Sequence, residues 1–153
     1  MRAASVFYRG MFNYKQLSVP RDAIKKSDLN QDHDLYAELS SFMSTGDLLS
    51  NEVHVNDQSY KNGDLLVLNM EDCDVVKVGL VVAILIKSEK VFFVCKSYHC
   101  ERNWLQYFES KWENQGCSFV ESRSVADFKP LIRRGTSEKF VFTMHHRVSF
   151  MYK

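Results

Sequence analysis

Two apolar runs separated by four polar residues constrain this chain more than any other feature. Val75 to Lys87 is rich in β-branched residues, and its continuous apolar part, Val78 to Ile86, is nine residues long with Gly79 inside it. A membrane-crossing helix needs about 20 apolar residues. Nine residues of this composition therefore predict a buried strand. The tetrad Lys87-Ser88-Glu89-Lys90 is polar, and Val91-Phe92-Phe93-Val94-Cys95 follows it as a second apolar run. Strand, turn and strand in that order predict an antiparallel hairpin, with Gly79 as a bulge or a point of close backbone approach. Upstream, Lys61-Asn62-Gly63-Asp64 reads as a turn, Leu65–Leu68 as a strand and Glu71–Asp74 as an acidic loop. The core of the fold is thus expected between Asp64 and Ser97.

The flanks are less regular. Ser5–Tyr8 and Met11–Tyr14 read as extended segments around Gly10, and residues 20–34 as a polar loop. Apolar residues at 35, 36, 39, 42 and 43 have the 3- and 4-residue offsets of a short amphipathic helix. Val53–Val55 reads as a short strand. Trp104, Tyr107, Phe108 and Trp112 have helical spacing, although a strand over Leu105–Glu109 fits nearly as well. Cys117–Glu121 reads as a strand and Ser124–Phe128 as a helical turn halted by Pro130. From Lys139 to Met151, Phe140, Phe142, Met144, His146, Val148 and Phe150 alternate with their neighbours, the mark of a half-buried strand. The expected fold is mainly β: a partly open antiparallel barrel or curled sheet of six to eight strands with one or two short helices. One domain is expected over 1–153, with 61–153 its β core and 1–60 the less defined part.

Composition fits that expectation. At 153 residues and 45% hydrophobic, the chain can bury one substantial core. The net charge of +1 conceals an asymmetry: residues 1–72 sum to −4 and residues 73–153 to +5. Much of the excess lies in residues 123–153, with seven basic and two acidic side chains. Four cysteines, no Asn-x-Ser/Thr acceptor and no continuous apolar run at the N-terminus point to a reducing, intracellular setting with free thiols.

The order of features from Gly63 onward carries a resemblance. A Gly-Asp-hydrophobic strand leads into Val78–Ile86; then come an aromatic strand, Tyr107-Phe108-Glu109, Pro130-Leu131 and a last strand with His145-His146-Arg147-Val148. This resembles an uncharacterised β-rich domain of mobile-element-derived proteins in fish and invertebrates. It is also similar to the bromo-adjacent homology domain, which opens on a Gly-Asp-hydrophobic strand and serves protein–protein contacts in chromatin. The resemblance covers about 90 residues and implies a binding or scaffolding module without catalysis, in the nucleus rather than the cytoplasm.

The residues bring five kinds of site chemistry into question. Zinc would draw on Cys95, Cys100 and Cys117 with His99, His145 or His146, but only one loose Cys pair exists where structural zinc uses two tight ones. No metal or other cofactor is expected. A thiol nucleophile at Cys100 or Cys117 lacks any surrounding signature, and Asp28, Asp32 and Asp34 lack the central Gly and terminal Glu of a calcium loop. The chain is therefore not expected to be an enzyme. Tyr98, Trp104, Tyr107 and Trp112 can form an aromatic partner-binding surface or cation-holding cage; the same spacing also fits plain core. Arg123, Lys129, Arg133, Arg134, Lys139 and Arg147 can line a basic face, with Phe128 and Phe140 for stacking on bases. The expected function is protein docking or scaffolding in a chromatin or transposon-related assembly, away from membranes. DNA or RNA binding by the basic C-terminal third is the alternative.

Overall fold

The computed structural model describes residues 17–136 and 138–144. The extended segments expected at 5–14, the residues His145, His146 and Arg147, and the end of the last strand lie outside them. The β-branched run folds as read: it forms strand β7 (Val75–Lys87), paired antiparallel with β8 (Lys90–Arg102). The turn is tighter than the tetrad, because Lys87 and Lys90 form the last rung and only Ser88 and Glu89 remain. Both sit at positive φ, +52° and +65°, the backbone twist that suits a two-residue hairpin turn. β8 continues well past Cys95, where exposed Lys96 and half-buried His99 stand among buried Ser97, Tyr98 and Cys100.

The remaining strands assemble around this pair. In chain order they are β1 (Leu17–Ser18), β2 (Ile24–Lys25), β3 (Leu48–Ser50), β4 (Glu52–Val55), β5 (Gln58–Lys61), β6 (Leu65–Asp72), β9 (Phe108–Glu113), β10 (Ser118–Glu121), β11 (Asp127–Leu131), β12 (Arg133–Gly135) and β13 (Phe140–Phe142). Among the described residues, eight of the thirteen strands have four or more residues. The other five are rungs of two or three, too short to leave an alternation in the sequence. Among the described residues, one helix, α1 (Tyr36–Phe42), and two 3₁₀ turns accompany them. The helical turn expected over Ser124–Phe128 is instead a 3₁₀ turn at Ser122–Ser124 followed by β11, which contains Pro130. Proline is tolerated there because, among the described residues, β11 is an edge strand paired only with β6.

The main sheet runs β11-β6-β7-β8-β9-β13-β12. Its two edge strands, β11 and β12, are consecutive in the chain and separated by Ile132 alone. One intervening residue holds the Cα atoms of Leu131 and Arg133 within about 7 Å of each other, so the sheet must curl until its edges approach. Arg133 Nη2 also reaches the carbonyl oxygen of Gly63, just ahead of β6. Among the described residues no ladder joins β11 to β12, so these strands form a curled sheet and not a closed barrel. Inside the curl, Leu65, Val67, Val76, Val78, Leu80, Tyr98, Cys100, Phe108, Leu131, Phe140 and Phe142 form one core.

A bulge decides what happens further along the hairpin. Val81 pairs with Cys95 and Ala83 with Val94, leaving Val82 as the extra residue. Val76, Val78 and Leu80 line the curl at even positions, whereas beyond the bulge Ala83 and Leu85 join a second core with Leu39 and Met43 of the helical region. Val81, Ile84, Phe93 and Cys95 face the other way, into a third core with Val53, Val55 and Tyr60 from the small sheet β1-β4-β5. The turn half of the hairpin is therefore covered on both faces. Phe42 fastens the helix by stacking on Phe119 (4.3 Å between centroids) and meeting Phe92 edge-on (5.2 Å). Buried Asp47 accepts from Lys87 Nζ at 2.9 Å and from the Ser44 amide at 2.7 Å.

Candidate functional site

At the opposite end of the hairpin only one face is covered. A second bulge lies between β8 and β9: His99 pairs with Trp112 and Cys100 with Ser110, so Lys111 is the extra residue. Phe108 and Ser110 turn into the core, whereas Trp112 stays on the outer surface. Its indole stacks flat on the His99 imidazole, 3.9 Å between centroids and 5° from parallel. His99 Nε2 in turn lies 2.8 Å from Glu101 Oε2.

Residues 103–107 join β8 to β9 and expose Trp104 (86%), Leu105 (53%) and Tyr107 (41%) to solvent. Such a segment would be free to collapse, yet Asn103 holds it. The Asn103 side-chain carbonyl accepts the amides of Leu105 (2.9 Å) and Tyr107 (3.0 Å), and its NH2 donates to Glu109. The Asn103 amide donates to the Tyr107 carbonyl and the Gln106 amide to the Asn103 carbonyl. Asparagine suits this position because its short amide reaches backbone two residues ahead. Arg102 ties the loop to the β6–β7 turn. Its Nη1 donates to Gln106 Oε1, its Nη2 to the Cys73 carbonyl, and its Nε lies 3.3 Å from Asp74 Oδ1. The Glu109 carboxyl is held below the usual carboxylate range, chiefly by the hydrogen bond from Asn103, with Lys111 and Lys139 adding to it against a smaller opposing effect of burial.

The four aromatic residues singled out in the sequence divide between two faces. Trp104, Tyr107 and Trp112 are exposed, whereas Tyr98 is 3% exposed and packs edge-on against Phe140 at 5.1 Å. Burial raises the Tyr98 phenol pKa, and the charge of Glu113 and a hydrogen bond to it act the same way. Adjacent strand residues face opposite ways, which sets Tyr98 inside and His99 outside. Leu105, Asn103, Arg102 and His99 belong to the surface and were missed. The one signal for them was an asparagine directly before an apolar Trp-Leu pair.

The basic residues are scattered. Arg123 pairs with Glu121 at 2.7 Å. Arg133 donates to the carbonyls of Thr136 and Gly63 and lies over the Phe140 ring. Lys129 is exposed on β11. Arg134 and Lys139 flank an open hollow of about 290 Å³ together with Glu109, Gly135 and Phe140. Arg147 and the side chain of Phe128 lie outside what is described; Phe140 is 1% exposed and not placed to stack on a base.

The cysteines do not converge. Cys100 points into the curl, Cys95 into the core beneath the small sheet, and Cys117 packs with the helical region. Burial pushes the thiols of Cys95 and Cys100 up to about 12, with Cys117 adding to the shift at Cys95. Among the described residues, Asp72, Cys73 and Asp74 are the only three potential metal ligands brought close together; all three are exposed, with the Arg102 guanidinium against two of them. No helix among the described residues is long and apolar enough to cross a membrane. Comparison of the chain with protein families, curated proteins and solved structures returned no match.

Proposed function

We propose that this domain is a non-catalytic docking module for a protein partner and that its working surface is the segment from Trp104 to Trp112. One observation carries the reading. Of the five large hydrophobic residues left exposed among those described, four (Trp104, Leu105, Tyr107 and Trp112) lie within nine consecutive positions. Large apolar side chains left exposed within one short segment point to an interaction site, and Trp and Tyr dominate the energetics of protein interfaces. The hydrogen bonds of Asn103 and Arg102 hold the loop in one shape before any partner arrives, which lowers the ordering cost of binding. Two thiols raised to about 12 are poor nucleophiles at neutral pH, which supports a reading without catalysis.

A nuclear, chromatin or transposon-related setting belongs to this proposal through the sequence resemblance, and imaging of the tagged chain in cells tests it. Nucleic-acid binding has one observation in its favour, the pairing of Arg134 and Lys139 at one hollow. Glu109 lies in the same hollow, and Arg123 and Arg133 are engaged by other groups. The deciding experiment captures partners from a lysate of the source cells with the wild-type chain and with Trp104→Ala, each with and without nuclease. Protein partners that survive nuclease and are lost with Trp104→Ala support docking. Partners lost on nuclease treatment alone, together with salt-sensitive binding of random DNA, favour the nucleic-acid reading.

A further inference from the structure

We infer that the partner of this surface is a basic segment with an apolar anchor: a stretch of chain carrying Lys or Arg beside at least one large hydrophobic residue. The inference rests on the docking reading above and names the chemistry of its partner. The exposed loop does not stand alone at its end of the hairpin. The β6–β7 turn lies against it, joined through Arg102, which contacts Cys73 and Asp74 on one side and Gln106 on the other. Residues 71–77 and 99–113, which span the whole surface, contain Glu71, Asp72, Asp74, Glu101, Glu109 and Glu113 against Lys77, Arg102 and Lys111, and Lys111 is paired with Glu109. Glu71, Asp72 and Asp74 are exposed, and Arg102 lies against only the last of them. Glu101 is engaged by His99.

The surface therefore combines an apolar centre with an acidic border. Trp104 and Leu105 supply area that gains from leaving water. The neighbouring carboxylates repel acidic partners and attract basic ones, acting on encounter rate and selectivity more than on raw affinity. The same border disfavours the phosphate backbone of nucleic acid and the anionic face of a membrane. A basic, apolar-anchored peptide satisfies both halves of the surface at once.

The test uses three sets of short fluorescent peptides matched in apolar content: one rich in Lys and Arg, one rich in Glu, and one neutral. Binding is read by anisotropy. The chain's own emission gives a second readout, since both of its tryptophans, Trp104 and Trp112, are exposed on this surface. The basic set is expected to bind with a change in tryptophan emission and to weaken as salt is raised. Trp104→Ala is expected to weaken it about tenfold or more. The double variant Glu71→Lys/Asp72→Asn is expected to weaken it about three- to fivefold and to reduce its salt dependence; Asn at 72 keeps an oxygen to accept from the Asp74 amide, as Asp72 Oδ1 does. Matched circular dichroism melts establish that both variants fold.

Neutral or acidic peptides that bind as well as basic ones, need Trp104 and ignore the charge variant would overturn the basic partner and leave docking standing. Binding indifferent to Trp104→Ala overturns both. Absence of binding by every set overturns the inference, and the lysate comparison then decides docking by itself.

Discussion

The two ends of the β7–β8 hairpin are built from the same two strands and bury their residues differently. At the turn end, Ile84 and Phe93 face the small sheet while Leu85 and Val94 face the helical region, so both surfaces of the pair are inside. At the open end, Val78, Tyr98 and Cys100 fill the curl, whereas His99, Glu101 and Trp112 look outward. The bulge at Val82 separates the two regimes by shifting which positions face the core. One half of the hairpin therefore holds the molecule together. The other has a face left over for contact with something else.

The sharpest way to break this comparison is to remove a large side chain from the doubly covered end. Phe93 is fully buried, with its ring 4.9 Å from that of Tyr60. Phe93→Ala is expected to cost about 3–5 kcal/mol through lost burial and the cavity left behind, measured by chemical denaturation. A loss under about 1 kcal/mol, the size expected at a surface position, would mean that the two ends are equivalent.

The cysteines probe both ends by pH. In the folded chain Cys95 and Cys100 have pKa values raised from 9.0 to about 12, because burial disfavours the thiolate. The folded state therefore keeps protons that the unfolded state releases between these values. The associated stability is fully present below about pH 9 and is lost progressively as pH rises toward 12. Denaturation midpoints should fall through that window, and Cys100→Ala should flatten the fall relative to its own value at neutral pH. A thiol reagent at neutral pH should modify exposed Cys73 at once and reach Cys95 and Cys100 only as the chain opens. Prompt reaction of all four thiols would contradict the burial on which the comparison rests.

How much of this was legible in the sequence follows the same division. β7 was readable to its last residue because its turn half, buried along both faces, is a continuous apolar run. The return strand was readable only to Cys95, where the apolar run ends; Lys96 and His99 look polar because one face has opened to solvent. The site suffered more. Trp104, Tyr107, Phe108 and Trp112 have helical spacing only by coincidence: the first two sit in a loop, and the extra residue Lys111 spoils the alternation of β9. Pro130 read as a stop because nothing local to it says that β11 lies at a sheet edge. The curl itself depends on pairings between β9 and β13 and between β11 and β6, each bridging distant stretches of chain. No local pattern records such pairings.

The smaller predictions sharpen the open end. Asn103→Ala removes an acceptor for two backbone amides and a donor to Glu109. Its expected cost is about 1–2 kcal/mol, and the clearer readout is hydrogen exchange, with the Leu105 and Tyr107 amides losing protection while those of Ile84 and Phe93 keep theirs. The Glu109 pKa should return toward its ordinary value at the same time, visible by NMR titration, because the bond from Asn103 is the main cause of its depression. Trp104→Ala should change stability by less than about 0.5 kcal/mol, since 86% of the side chain already faces water. A docking surface differs from a core in that its largest residue is dispensable to the fold and indispensable to binding. If Trp104→Ala destabilises the chain as Phe93→Ala does, Trp104 is a piece of core and the distinction between the two ends fails. If it leaves the melt unchanged and removes the captured partners, the leftover face is the working one.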